Sequence, residues 1–235
     1  MLEIASVMSA RTAEEARQHY VSVMGEELGA LYHRLWNELA WLYSKWEEFV
    51  ELFGTKPTRI DLLNEAAGHF FRVVQDTLWD DTLIHIARLT DSPQTGRRDN
   101  ATICRLPSLM TSEAGRAEVQ SKVDEAIALA APCRDWRNRR IAHLDLELAL
   151  SAGAEPLKPA SRASVRAAMD AIAAVLNAVS SHLLDSTTSF EGVGIPNGAL
   201  NLLYILDDGV KAERARRDRL RSGEHRAEDY QRRDL

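Results

Sequence analysis

Apolar residues recur every three or four positions over residues 28–49, which is the spacing of one face of an α-helix. They are Leu28, Leu31, Leu35, Leu39, Leu42, Trp46 and Phe49. A helix with such a face must bury it against other elements, and the same spacing returns between Leu63 and Leu89. No segment alternates convincingly in the way that a half-buried strand does. The sequence therefore predicts an all-α helical bundle of four to five main helices.

Short polar signals mark where these helices begin and break. Thr12 with Glu15 has the pattern of a capping box, and Ser161 opens an alanine-rich helix. Asn197 is expected to cap a final helix that runs into a charged tail. Pro132 is expected to kink the third long helix or divide it in two, because proline has no N–H to donate within a helix.

The overall charge restricts the kind of partner that the chain can bind. Its net charge is -6 and its isoelectric point is about 5.7, so a site for a polyanion must be a local patch. The two cysteines are far apart in the sequence and are expected to be reduced. We recognise no leader and no 18-residue apolar stretch, and we expect a cytoplasmic protein without a membrane span. We predict a single helical domain over residues 1–210 and a charged tail, helical or partly disordered, over residues 211–235.

The segment CRDWRNRRIAHLDLELAL, residues 133–150, concentrates basic side chains on a predicted helix. Its arginines are Arg134, Arg137, Arg139 and Arg140. Positions four apart share a helix face, so Arg139 and His143 are expected to be neighbours, with Arg140 close by. A patch of this kind is the local basic surface that an acidic chain would need for binding a polyanion.

Arginine and histidine together suit the chemistry of a phosphodiester. An arginine fork binds phosphate through two parallel hydrogen bonds and stabilises charge that develops in a transition state. A histidine titrates near neutrality, so it can take a proton from a ribose 2′-hydroxyl or give one to a leaving 5′-oxygen. Neither step requires a metal, and the product would end in a 2′,3′-cyclic phosphate. The residues alone leave a second interpretation open, in which the arginines form surface ion pairs and His143 is structural.

Arg137-Asn138 followed by His143 resembles the arginine, polar residue and histidine signature of HEPN domains. RNRRIAHLD, preceded by HIARLTDSPQTGRRDNATICRL, resembles more narrowly the AbiU-type abortive-infection branch of HEPN proteins. In that branch an ARL-D helix end precedes a short helix and the helix with the RN and AH-D residues. The resemblance covers roughly residues 60–150 and agrees with the predicted bundle.

The resemblance implies a metal-independent endoribonuclease of a phage-defence or toxin–antitoxin system, without a cofactor. HEPN proteins usually act as dimers, with two such helices facing each other across a cleft. In this sequence Arg137 matches the motif arginine, Asn138 its polar neighbour and His143 the histidine. Asp145 matches the aspartate of the branch and would orient the imidazole or an arginine. The expected partners are RNA, a second copy of the chain and an antitoxin protein.

Some HEPN proteins bind RNA or nucleotides without cleaving them, which gives an alternative. The chain would then be a non-catalytic helical module that binds RNA, a nucleotide or a protein through the same basic cleft. In either case we expect Arg134, Arg139 and Arg140 to assist substrate binding. The loop GRRDN, residues 96–100, offers a further basic contact for phosphates.

Two other pairs of residues have helical spacing. Asp81 and His85 stand four apart, and we interpret them as a buried polar pair, or else as support for the cleft. Glu65 and His69 repeat that spacing, so a metal-binding bundle is a second hypothesis. Carboxylate-bridged bundles use Glu-x-x-His motifs on paired helices, and we find no such motif in this sequence. We therefore predict no metal site.

Overall fold

The computed structural model describes residues 12–150, 153–192 and 196–231, and helices dominate these ranges. The helices are α1 Ala13–Met24, α2 Glu26–Phe53, α3 Pro57–Leu89, α4 Leu106–Leu109, α5 Glu113–Leu129, α6 Ala131–Trp136, α7 Leu146–Ala149, α8 Arg162–Leu184 and α9 Ala199–Ser222. Two short antiparallel strands, β1 Gln94–Thr95 and β2 Arg98–Asp99, form a hairpin after α3. The predicted all-α class is confirmed. The N-terminal stretch in which we recognised no signal peptide falls mainly on residues 1–11, which lie outside the described ranges.

Most of the predicted helix signals are confirmed. Thr12 and Glu15 form a capping box at α1, and the Ser161 side chain caps α8. The prediction for α9 was wrong by one residue, since Gly198 is the N-cap residue. Asn197 has a left-handed φ of 60°. The first N–H of the helix, at Ala199, donates instead to the carboxylate of Glu48 at 2.5 Å. That carboxylate is supplied by α2, so no pattern near residue 197 could reveal it.

Pro132 divides the helix that carries the basic segment, as predicted. α5 ends at Leu129, and α6 begins at Ala131 with the proline in its first turn. A proline is tolerated there because the first N–H groups of a helix have no partner within it. The expectation of one helix from this point to residue 150 was wrong, because α6 ends at Trp136.

The described residues form two compact units. The first contains residues 12–43, 80–150 and 153–192, and α8 packs along α5 at its centre. Its buried apolar side chains include Leu35, Leu39, Leu83, Ile86, Ile103, Leu106, Val119, Val123, Ile172 and Val175. Because α5 and α8 bury their apolar faces against each other, the basic segment that follows α5 starts from a fixed support.

The second unit contains residues 44–79 and 196–231. Its core is a cluster of Leu52, Leu63, Phe71, Ala199 and Leu203. α9 continues to Ser222, and a short 3-10 turn, Ala227–Tyr230, follows it. The division into one domain and a tail at residue 211 stays a prediction.

α8 is the one helix within the described ranges that is long and apolar enough to cross a membrane by length and composition. The expectation that the sequence holds no such stretch was therefore wrong. Alanine supplies much of the apolar character of α8, and half of the apolar window is buried inside the protein. This burial is what the central helix of a bundle requires.

Candidate functional site

The basic segment is divided into three pieces of backbone. After α6, residues Arg137–Ile141 form a π-helical turn, in which the N–H of Ala142 donates to the carbonyl of Arg137 at 2.8 Å. His143 follows this turn at a bend outside any helix. The expectation that Arg139 and His143 share a helix face was therefore wrong. A π turn inserts one residue into the helical repeat, and such turns are frequent at functional sites.

Arg134 and Arg137 both contact the carboxyl-terminal end of α3. The Arg137 guanidinium donates from both terminal nitrogens to the two oxygens of Asp91, at 2.8 and 3.0 Å. Arg134 donates to the carbonyl and the hydroxyl of Thr90, at 2.6 and 3.0 Å, and lies 3.8 Å from Asp91. A cation at a helix carboxyl terminus satisfies carbonyls that lack partners within the helix. Both arginines also contact the same carboxylate, that of Asp91.

Arg137 keeps hydrogen-bonding capacity after these contacts. Its Nε donates to the side-chain oxygen of Asn138 at 3.0 Å, so three of its five N–H groups are used. Its side chain is 24% exposed. The guanidinium is thus fixed in orientation by Asp91 and Asn138, and it still has donors for a further anion.

Arg139 and Arg140 are held by other groups. Arg139 donates to the carbonyl of Glu155 at 2.8 Å and lies 3.5 Å from the carboxylate of Asp145. Arg140 lies over the indole of Trp136, with 5.3 Å between the guanidinium carbon and the ring centroid. Of the sequence-predicted arginines, Arg134 and Arg137 come together, while Arg139 turns towards the loop after α7.

His143 is exposed, and its imidazole has no hydrogen-bond partner within the described part of the chain. The apolar side chains that follow it are also exposed: Leu144 is 77%, Leu146 70% and Leu150 68% exposed. The imidazole is therefore accessible to a substrate, beside apolar surface that the single chain leaves uncovered.

The contacts of the Asp145 side chain do not involve His143. The Asp145 side chain accepts from the N–H of Leu148 at 3.0 Å and so caps α7. This hydrogen bond, followed by the contact with Arg139, lowers the pKa of the Asp145 carboxyl below its usual range. Of the two roles considered for Asp145, the geometry favours the orientation of an arginine.

His85 lies in a cluster of charged side chains between α2 and the last turns of α3. It is 3% exposed, and its Nε2 lies 2.8 Å from Glu38. The same carboxylate contacts Arg34 at 2.5 Å and Arg88 at 2.8 Å. Asp81 is exposed on the solvent side of α3. A carboxylate from another helix, which the sequence did not suggest, therefore contacts the buried histidine.

The residues that sequence reasoning missed come from distant parts of the chain. Asp91 lies 46 residues before Arg137, and Glu38 is on a different helix from His85. Only Asp91 had a signal in the sequence, because it is the aspartate of the ARL-D helix end. That Asp91 pairs with Arg137 became visible only in the folded structure.

The second hypothesis was a metal site that includes Glu65 and His69. Glu65 accepts hydrogen bonds from Arg214, one of them at 2.6 Å, and His69 is exposed. Within the described ranges, no group of three or more histidine, cysteine, aspartate or glutamate side chains is arranged to hold a metal ion.

Comparison with known proteins gives one match. Residues 25–196, more than two thirds of the chain, match the family model HEPN_AbiU2, described as AbiU2. No curated protein and no solved structure matches the chain. The matched range contains the basic segment, Asp91 and the cluster around Glu38.

Proposed function

The chain belongs to the HEPN AbiU2 family, and from that premise we propose that it is a metal-independent endoribonuclease of an abortive-infection system. One observation carries the proposal. The Arg137, Asn138 and His143 motif is intact within the matched range, with its arginine fixed on Asp91 and its histidine exposed. RNA cleavage by a 2′-hydroxyl needs an oriented guanidinium with spare donors and an accessible imidazole, and this motif supplies both within seven residues of the chain.

In the proposed reaction, the 2′-oxygen of a ribose attacks the adjacent phosphorus, and its proton passes to an imidazole. The bond from phosphorus to the 5′-oxygen breaks, and a protonated imidazole donates a proton to that leaving oxygen. The remaining N–H groups of Arg137 bind the phosphate and stabilise the charge that builds on its oxygens. Asn138 keeps the guanidinium in place through its contact with Nε.

The proposal includes a homodimer, because the two proton transfers use two imidazoles and each chain supplies one His143. The exposed leucines that follow the histidine support this part: Leu144, Leu146 and Leu150 form an apolar surface that a second copy would cover. A toxic ribonuclease requires restraint in the cell, so the proposal includes an antitoxin partner. It also includes a cytoplasmic location.

The alternative is a module that binds RNA, a nucleotide or a protein without cleavage. The double contact between Arg137 and Asp91 favours it in one respect, since part of the positive charge is already neutralised. Arg134 offsets this effect, because the two arginines share that one carboxylate.

The deciding experiment is cleavage of single-stranded RNA by the purified chain in excess EDTA. Wild type, His143→Ala and His69→Ala are compared, the last as a control that removes an exposed histidine outside the site. We expect wild type and the control to leave 2′,3′-cyclic ends, and His143→Ala to lose at least about a hundredfold in rate.

Equal cleavage by wild type and His143→Ala would contradict the assignment of the site. If neither chain cleaves but both bind RNA with the same Kd, the binding module replaces the ribonuclease.

A further inference from the structure

A cavity of about 350 Å³ lies next to the candidate site in the first compact unit. Its walls come from α2, the end of α3 and the residues that follow the hairpin. The volume falls within the range of about 300–1,000 Å³ that is usual for small-ligand sites, and it is large enough for one nucleotide. The lining residues that matter here are Arg34, Glu38, Arg88, Asp91, Asn100 and Ala101.

Two arginines at the cavity keep free donors. Arg34 and Arg88 each contact Glu38, at 2.5 and 2.8 Å, but their side chains are 67% and 59% exposed. Each guanidinium has five N–H groups, so a single carboxylate cannot satisfy both. Glu38 also lies 2.8 Å from His85 and is only 19% exposed. This arrangement places two exposed guanidinium groups in the lining of the cavity, with donors left to bind an anion.

The other carboxylates of the wall have arginine partners. Asp91 accepts both hydrogen bonds from Arg137 and lies near Arg134, while Asp99 lies 3.4 Å from Arg105. With Arg34 and Arg88, five arginines stand against three carboxylates around the cavity. The whole chain has a net charge of -6, so this excess of positive charge is a local feature. A local excess of this kind attracts phosphate.

The cavity and the candidate site share a residue. Asp91 lines the cavity and holds the guanidinium of Arg137, so a phosphate at Arg137 would lie at the cavity wall. We propose that the cavity binds the ribonucleotide next to the scissile phosphate, with Arg34 and Arg88 contacting the phosphate of that nucleotide. This inference rests on the proposed ribonuclease function, and it states where the nucleotide next to the cleaved bond is bound.

Binding is tested on a chain that cannot cleave. In a His143→Ala background, the Kd for a labelled 12-nucleotide single-stranded RNA is measured by fluorescence anisotropy at several salt concentrations. Arg34→Ala with Arg88→Ala is compared with Arg72→Ala with Arg221→Ala. The control pair removes the same charge from exposed arginines that also have carboxylate partners three or four residues away.

We expect the cavity variant to bind about tenfold more weakly and the control variant to stay within about twofold. The slope of log Kd against log salt should change by about 0.7 in the cavity variant alone, since both arginines contact the same phosphate and each neutralised phosphate contributes about 0.7 on a single strand. Equal effects of the two variants would overturn the proposal, because they would report net charge and not the cavity.

A third variant keeps every charge in place. Ala101 is exposed at the cavity, so Ala101→Leu fills part of the space without burying a new polar group. We expect it to weaken RNA binding about threefold and, in the active chain, to raise KM with kcat unchanged. Binding equal to that of the parent chain would overturn the proposal even if the arginine variant had lost stability.

The two proposals fail in different ways. If wild type cleaves RNA in EDTA and the cavity variants keep its KM and Kd, the cavity assignment is wrong and the ribonuclease stands. If wild type does not cleave but the cavity variants lose RNA affinity as expected, the cavity is supported as an RNA site and the ribonuclease is contradicted.

Discussion

Arg137 and Arg139 lie two residues apart, yet their surroundings suit them to different tasks. Arg137 makes two parallel hydrogen bonds to Asp91, a geometry that only a guanidinium provides. Arg139 reaches the carbonyl of Glu155 with one nitrogen and lies farther from Asp145. A lysine could replace the second set of contacts in part, but it could not reproduce the first.

We therefore expect Arg137→Lys and Arg139→Lys to differ in cleavage rate. The first change removes oriented donors from the phosphate, and its kcat should fall by about 10²–10³, as for the loss of a donor that stabilises a transition-state oxyanion. The second should cost less than about tenfold. Single-turnover rates of RNA cleavage measure both, with thermal melting as the check on folding. A larger loss for Arg139→Lys would move the phosphate site to the other arginine.

At the level of single residues, the sequence suggested which residues form the candidate site but did not reveal which groups they contact. The motif was recognised from the order of neighbouring residues in the sequence. Arg137 and Asn138, which are adjacent in it, contact each other at 3.0 Å. Asp91 and Glu38 were missed as partners, because a hydrogen bond between distant residues has no periodic signature in the sequence. Asp81 and His85 have the spacing of one helix face, but the spacing could not show that Glu38 approaches His85.

The backbone after α6 explains why the predicted helix did not extend to residue 150. Ile141, Leu144 and Leu148 have helical spacing, but Leu144 is exposed and no core receives that face. The π turn ends α6, and Asp145 begins a new helix by accepting the N–H of Leu148. An aspartate side chain that accepts a hydrogen bond from a nearby backbone N–H competes with the continuation of a helix and favours a new helix start.

We expect this new helix start to matter for the position of His143. Asp145→Asn keeps an N-cap acceptor, whereas Asp145→Ala removes both the cap and the carboxylate near Arg139. Hydrogen exchange at Leu148 should accelerate in the alanine variant only. The cleavage rate should fall about tenfold in the alanine variant and less than threefold in the asparagine variant.

Two outcomes would contradict this account. Equal losses in both variants would show that the charge near Arg139 matters and the cap does not. Unchanged cleavage in the alanine variant, together with faster exchange at Leu148, would separate the cap from the position of the imidazole.

Helix boundaries were predictable where the signal is local and failed where it is not. Thr12 and Ser161 act through residues three positions away, so the capping patterns could be recognised directly. The start of α9 depends on Glu48, which lies about 150 residues away along the chain. The same distinction explains why Pro132 gave a correct division between α5 and α6.

At the scale of the whole molecule, an acidic chain carries a local basic site with an apolar border. In the proposed ribonuclease, the arginines that surround Asp91 and Glu38 would attract RNA, and the net charge of -6 would limit nonspecific binding elsewhere. The leucines after His143 are exposed, and apolar surface left exposed on one chain is a common feature of protein–protein interfaces. A two-fold dimer would cover them and bring two imidazoles to one phosphate.

Mixing experiments test whether one cleavage event uses both copies of His143. Wild type and His143→Ala are combined at fixed total concentration and allowed to exchange subunits, and the cleavage rate is followed against the wild-type fraction. If both histidines are needed, only pairs of wild-type chains are active, so an equal mixture should retain about a quarter of the activity. A linear dependence, with about half of the activity at equal mixing, would show that each chain cleaves alone. Sedimentation analysis of the mixture gives the control, because the quadratic dependence has its meaning only if both proteins form dimers under the assay conditions.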